Sequence, residues 1–417
     1  MPDALRGLRI LEMGIAVAGP TASHILGDMG ASVIKVEEPR VRAHVPAATP
    51  PPVEGALNRP QNRVVNFNEL NRSKRQLPLD VGSPDGRQIF LDLAAQSDVV
   101  IENFAPRVMG NLRIDYADLK AVNPSIILVS MPAFGKTGPY RDRISYGPGI
   151  DAMTGISHLT GYPDAGPGKP GNFFCDQNAG LHAIFCILTA LRHRRRTGEG
   201  QYIELSMLEG ELQFVAPAVM DVIMNGRADQ MRIGNRHAWL APQGVYPCTG
   251  DDAWVAISVA TDEQWQALCG VIGQHALATD LAYATAALRQ AQHEAIDAAI
   301  AAWTSGRDKF EAHRALQRAG VPAGAALDQD DLFEDPQLVH RGSFSWVEHP
   351  EVGPFPHTPG AWRSRRGNHG VSAPAFLFGH DVDDILIGLL GRTEEQVADL
   401  VAREITAYEP VGWHPPA

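Results

Sequence analysis

Asp176 stands just ahead of an apolar run, in Gly171-Asn-Phe-Phe-Cys-Asp176-Gln-Asn-Ala-Gly180. Leu181, Ile184, Phe185, Leu188 and Leu191 recur behind it at helical spacing, which predicts a helix with Asp176 at or just before its N-terminus. Backbone N–H groups and the positive end of the helix dipole favour a carboxylate there and keep it ionised at neutral pH. An ionised, oriented carboxylate is a nucleophile toward an activated acyl group. The same placement also suits an ordinary helix cap, so the window alone leaves both roles open. Cys175 with His182 offers another nucleophile and base, against the plainer reading of Cys175 as a small buried residue.

The elements that must position Asp176 alternate in type. Residues 8–13 read as a strand, 14–19 as a turn, 21–29 as a helix opened by Pro20 and stopped by Gly30, and 31–36 as a second strand. Ser83-Pro84 predicts a capped helix to about Ala95, followed by strands at 98–102 and 126–130 with a short helix at 116–122 between them. A strand over 202–207 follows the Asp176 helix. This alternation implies a parallel sheet covered on both faces. The proline-rich stretch 46–60 (Pro46, Pro50, Pro51, Pro52, Pro60) reads as an irregular loop or lid. The pattern changes after Asn225, with a strand at 254–259, a helix at 262–272 and alanine-rich helices at 284–304 and 309–319. Loops around Pro350, Pro354, Pro356 and Pro359 lead to helices at 382–390 and 394–403. Three segments are expected: a large domain over 1–225, a small one over 226–330, and a return to the large domain over 331–417.

Composition bounds the function. The 417 residues suffice for two or three domains with real cores. A net charge of −12 argues against nucleic acid or an anionic membrane surface as partner. No basic, apolar leader and no long apolar run are seen, and four cysteines without a C-x-x-C pair suit a reduced cytoplasm. The 15 histidines are scattered without H-x-H or H-E-x-x-H spacing, so no metal ligands are assigned.

Several stretches, in order, resemble the family III coenzyme A transferases, which include acyl-CoA racemases. They are Leu5-Arg-Gly-Leu-Arg-Ile-Leu-Glu, Ala18-Gly-Pro20, Gly30-Ala-Ser-Val-Ile-Lys-Val-Glu37 and Asn71-Arg-Ser-Lys-Arg75. Ser97-Asp-Val-Val-Ile-Glu-Asn-Phe104, Asn123-Pro124, Phe134-Gly-Lys-Thr-Gly-Pro-Tyr140, the span Asp176 to Met207, and Phe378-Gly-His380 with Leu389-Leu-Gly391 complete the set. The resemblance implies an α/β fold: a Rossmann-like large domain built from both chain ends, a smaller α/β domain, and two interlinked chains forming a homodimer. It implies that Asp176 is catalytic, attacking an acyl-CoA thioester to give a mixed anhydride, then an aspartyl-CoA thioester that a free carboxylic acid resolves. Gln177 and Asn178 are the candidate oxyanion donors. Coenzyme A enters as a substrate, with no permanently bound cofactor. Matching by position, its contacts are Val17, Ala18, Leu79, Val81 and Asn103, with Phe104, Ala105, Arg143 and Tyr146.

The chain departs from the formyl-CoA transferases of that family. Val17 replaces a glutamine and Glu38 an arginine, Gly234-Asn-Arg-His-Ala-Trp-Leu-Ala-Pro242 replaces a glycine-rich loop, and Val41-Arg-Ala-His replaces a Gly-Asp-x-x-Arg step. A formyl/oxalate substrate pair is therefore not assigned. A racemase would need a histidine within Ser145-Tyr-Gly-Pro-Gly149, which has none, while His158 is out of register. A non-catalytic subunit of a heteromeric transferase is a further alternative, which the retained Asp176 opposes. A nicotinamide dehydrogenase, suggested by Glu37 at a strand end, lacks its phosphate cradle, because Gly14-Ile-Ala-Val-Ala-Gly19 is not G-x-G-x-x-G.

Overall fold

A computed structural model describes residues 4–40, 49, 51–56, 59–227, 232–363, 365 and 370–412. Pro46, Pro50 and the segment 41–44 lie outside the described residues. The chain forms two compact units.

The larger unit comprises residues 1–156, 169–226 and 339–417. Its centre is a six-stranded sheet of β1 (Arg9–Glu12), β2 (Ser32–Glu37), β3 (Lys74–Pro78), β4 (Val99–Glu102), β5 (Ile127–Ser130) and β6 (Tyr202–Glu204). The order is β3-β2-β1-β4-β5-β6, every pair parallel. Near-continuous Val, Ile and Leu in β1, β2, β4 and β5 follow from a sheet buried on both faces. One face packs on helix Pro84–Ala95 and on residues near the C-terminus, with Phe90, Val382, Leu386 and Val397 in one core. The other packs on helices Ala18–Asp28 and Phe174–Thr197 through Ala22, Leu26, Ala183 and Ile187.

Local details follow from residue chemistry. Ser83 Oγ accepts from Gly86 N, and Pro84 sits in the first turn, as the sequence implies. Helix Ala18–Asp28 starts earlier than expected, with Pro20 inside its first turn, where a missing N–H costs nothing. The C-terminal segment closes on the sheet edge: Gly379 N–H donates to Gln76 Oε1 at 2.8 Å and Thr406 Oγ1 to Pro78 O at 2.7 Å. The stretch 382–390, expected as an α-helix, forms a π-helical turn at Asp384–Leu389. The loops expected around Pro354 and Pro356 hold an antiparallel hairpin, Ser345–His349 with Gly353–His357. Proline is tolerated there because a two-stranded ribbon has edge positions needing no N–H. Helix Met207–Asn225, opened by Ser206 Oγ accepting from Glu209 N, follows a β6 shorter than expected.

The smaller unit comprises 157–168 and 227–338, so the boundaries differ from 226–330. The physical reason is one arginine. Arg232 donates to the carbonyls of His158, Tyr162 and Ala165 at 2.8–3.3 Å, tying 157–168 to this unit. Its strands Gln243–Pro247, Trp254–Ser258 and Ala323–Ala325 form an antiparallel sheet packed on Trp265, Ile296 and Leu316. The helix expected over 284–304 is divided into Ala286–Ala291 and His293–Thr304.

Candidate functional site

Asp176 lies in the first turn of helix Phe174–Thr197, three residues past the N-cap position. The residue at that N-cap is Phe173, in the left-handed region at φ 57°, with no side-chain cap bond. Such a backbone costs about 1–3 kcal/mol in a non-glycine residue and persists only where the surroundings impose it. Capping is therefore not the role of Asp176. Its carboxylate instead meets the start of helix Ala18–Asp28, where the Ala18 N–H favours its charged form together with its own N–H. A Cβ on Gly147 would lie 2.3 Å from Asp176 Oδ2, so only glycine lets helix Gly147–Met153 approach this closely. Gly180, one turn along, is packed likewise on Thr21 and Ala18.

The electrostatics differ from the sequence reading. Asp176 is pushed up to about 6, by burial first and by the nearby Asp151 second, and the backbone N–H groups only partly offset this. Asp176 is still mostly ionised at neutral pH, but as a destabilised and hence more basic carboxylate.

A cavity of about 540 Å³ opens at the C-terminal ends of β1 and β2, beside the β1/β4 switch point. Val17, Leu79, Val81 and Phe104 line it, as does Phe173 from the Asp176 helix start. Ala18, Asn103, Ala105, Arg143 and Tyr146 do not. Ala18 faces Asp176 instead, and Asn103 holds the β1 turn, accepting from Ile15 N at 2.7 Å and donating to Ile15 O at 3.0 Å. Arg143 stacks on Tyr140 with its guanidinium carbon 3.9 Å from the ring centroid, and Tyr146 is 72% exposed.

The turn is fixed from below by buried charge. Lys35 Nζ donates to Glu12 Oε1 at 2.8 Å and to Gly14 O at 2.6 Å. Lys74 Nζ donates to Glu12 Oε2 at 3.0 Å, to Pro20 O at 3.3 Å and to Asn71 Oδ1 at 3.1 Å. Burial alone would raise Glu12, but the two lysines overcome it and hold the carboxyl low, while burial brings Lys74 down to about 8. Arg72 pairs with Asp28 at 2.9 Å and Ser73 donates to the same carboxylate. Asn71-Arg-Ser-Lys74 thus works as scaffold.

Two expectations need correction. The Gln177 N–H is bonded to Phe173 O at 2.9 Å and is not free for an oxyanion. Cys175 and His182 lie two turns apart on one helix, too far to pair, and burial pushes the Cys175 thiol far up, with Glu211 adding to it. Leu181, Phe185 and Leu188 are exposed, because the helix buries its small-residue face (Ala179, Gly180, Ala183, Ala190) instead. Asp151 and Glu211, buried beside the site, carried no sequence signal of function. Glu211 belongs to a helix that Ser206 and Glu209 could have announced as a capped start.

An open parallel sheet with a buried carboxylate at a helix start, next to a cavity at the strand switch, defines an α/β protein built to handle a ligand at that corner. The chain belongs to CoA-transferase family III, whose profile matches residues 5–381. It is 32% identical over 404 residues to succinyl-CoA–D-citramalate CoA-transferase of Chloroflexus aurantiacus, covering 97% of this chain and 98% of that one. It is 34% identical over 408 residues to probable CoA-transferase Rv1866 of Mycobacterium tuberculosis, of which it spans about half the length, 50%. A CAIB/BAIF family protein from Brucella suis superposes with a TM-score of 0.83 at 32% identity, over 93% of this chain and all of that one.

Proposed function

We propose that this protein moves coenzyme A from an acyl-CoA thioester to a free carboxylic acid through covalent intermediates on Asp176. The observation that carries this reading is the Asp176 carboxylate itself: buried, made more basic, and set at a helix start beside the cavity. Its oxygen attacks the thioester carbonyl, the C–S bond breaks, and CoA leaves as thiolate with an acyl-aspartyl anhydride behind. The thiolate returns to the aspartyl carbonyl, expelling the donor acid and leaving an aspartyl-CoA thioester. The acceptor carboxylate reverses these steps. Additions at the aspartyl carbonyl develop an oxyanion on an Asp176 oxygen, for which the Ala18 N–H at the start of its helix is a preorganised donor.

The large unit serves as a Rossmann-like CoA-binding domain, with Val17, Leu79, Val81 and Phe104 against the cofactor portion of the substrate. A racemase is disfavoured because the segment Ser145-Tyr-Gly-Pro-Gly149, where its histidine is expected, holds none. The names of relatives make succinyl-CoA the first donor to try, with dicarboxylates and branched or aromatic acids as acceptors. The four cysteines are unpaired, in keeping with a reducing cytoplasm.

We further propose a homodimer. Leu181 and Phe185, with Phe214, Val219, Ile223 and Met224 on the next helix, are exposed apolar surface in a single chain, more than a soluble monomer ordinarily shows. Helix Phe174–Thr197 is also long and apolar enough to cross a bilayer, but its small-residue face is packed in the protein core. Light scattering should give twice 45.1 kDa at every dilution, and a monomer or a detergent-requiring protein would contradict this. The activity is tested by incubating purified protein with acyl-CoA donors and free acids and reading new thioesters by mass spectrometry. No exchange with any pair would overturn it.

A further inference from the structure

One cluster beside Asp176 has no part in the reaction so far. Helix Gly147–Met153 contributes Asp151, the Asp176 helix contributes Cys175, and helix Met207–Asn225 contributes Glu211, their polar atoms within 4.8 Å of one another. Asp151 is 1% exposed and Glu211 0%. Asp151 Oδ1 and both Glu211 carboxylate oxygens have no hydrogen-bond donor among the described residues. Cys175 and Thr154 face Glu211 and partly favour its charged form, though Thr154 Oγ1 also donates to Asp151 O at 3.0 Å and Cys175 Sγ also faces Met207 O at 4.0 Å. Two adjacent buried carboxylates without a cation cannot both stay charged, and a carboxyl–carboxylate hydrogen bond satisfies both with one proton.

We propose that Glu211 and Asp151 share one proton, and that the single negative charge left on the pair acts as a positioning charge beside Asp176. This rests on the reading of Asp176 as nucleophile. Burial, then the hydrogen bond and charge of Asp151, push Glu211 up to about 8, so the proton is held through the neutral range. Asp151 is in turn the second cause of the raised Asp176. The groups facing the pair are Thr154 from its own helix, Cys175 and Asp176 from the nucleophile helix, and, beside Gly210, Asn178 and His182. Helix Ala18–Asp28 meets Asp176 through the Ala18 N–H. A shared proton keeps the charge beside Asp176 at one unit rather than two. The nucleophile is then made more basic without being neutralised.

Glu211→Gln mimics the protonated acid, since its amide N–H donates to Asp151, whereas the double variant Asp151→Asn/Glu211→Gln removes the charge. The acid limb of the transfer rate, near pH 6 in the wild type, should stay in place in Glu211→Gln and move to lower pH in Asp151→Asn/Glu211→Gln. A second readout is independent of turnover. A Glu211 raised from 4.5 to about 8 confers stability that is lost as pH rises through that window. Melting temperature should therefore fall over that range in Asp176→Ala protein and fall less in Asp176→Ala/Glu211→Gln. If hydroxylamine fails to label Asp176 but this difference persists, the nucleophile reading fails and the shared proton stands. Equal melting profiles, or an acid limb moved as far by Glu211→Gln as by Asp151→Asn/Glu211→Gln, would overturn the proposal. A stoichiometric divalent cation in purified protein that Glu211→Gln removes would overturn it too.

Discussion

Two buried acidic regions of the large unit are built in opposite ways. Around Glu12 each carboxylate oxygen has a lysine: Lys35 at 2.8 Å and Lys74 at 3.0 Å. Around Asp176, Asp151 and Glu211, no lysine or arginine pairs with any of the three carboxyls among the described residues, and Asp176 and Glu211 are raised by burial and like charge. The first arrangement spends its charge on holding the β1 turn in place. The second leaves a carboxylate underpaired and reactive. Burial of an acid therefore says little about its role until its partners are known.

Replacing an acid by its amide should have opposite effects in the two regions, and this is the sharpest way to break the comparison. Asp176→Asn should abolish transfer, because an amide cannot form the anhydride, while leaving the circular dichroism spectrum unchanged. It should also stabilise the fold at pH 7. The wild-type group is raised from 3.8 to about 6, so its penalty is absent below the lower value and complete above the higher, about 3 kcal/mol. Glu12→Gln should instead destabilise by about 3 kcal/mol, since two buried lysines lose their counter-charge. Denaturant midpoints of the two variants measure this directly, and shifts of the same sign would refute the contrast.

Smaller effects refine it. Gly147→Ala should cost about a hundredfold in turnover by displacing the carboxylate, the scale at which a misplacement of about 1 Å is felt. Its melting temperature should change little if Asp176 can move aside. The pH profile should show an acid limb near 6 with the rate falling about tenfold per unit below it, as protonation removes the nucleophile. An acid limb at the ordinary aspartate value would mean that neither burial nor Asp151 acts on it.

How far the residues alone announce this corner depends on the kind of interaction. The parallel sheet was legible because its strands are buried on both faces and therefore read as unbroken apolar runs, as in Val99-Val-Ile101 and Ile127-Leu-Val129. Asp176 was legible from its place at a helix start together with the resemblance of the stretches around it. Its basicity was not, since that depends on Asp151 and Gly147, which reach it only through folding. Leu181 and Phe185 show the limit of such patterns: helical periodicity identifies a face but not what covers it, and here the small residues face inward. Proline around 354–356 suggested loops because local preference carries no information about a ribbon's free edges.

The central claim is that Asp176 carries the acyl and CoA groups in turn. It is tested most directly by incubating the enzyme with a donor acyl-CoA and hydroxylamine and mapping the product to single residues. Hydroxylamine captures activated aspartyl carbonyls as hydroxamates, whereas a resting carboxylate does not react. The account predicts donor-dependent inactivation with one hydroxamate, on Asp176. Labelling of Cys175, or an enzyme that turns over a confirmed substrate pair without any donor-dependent label, would contradict it.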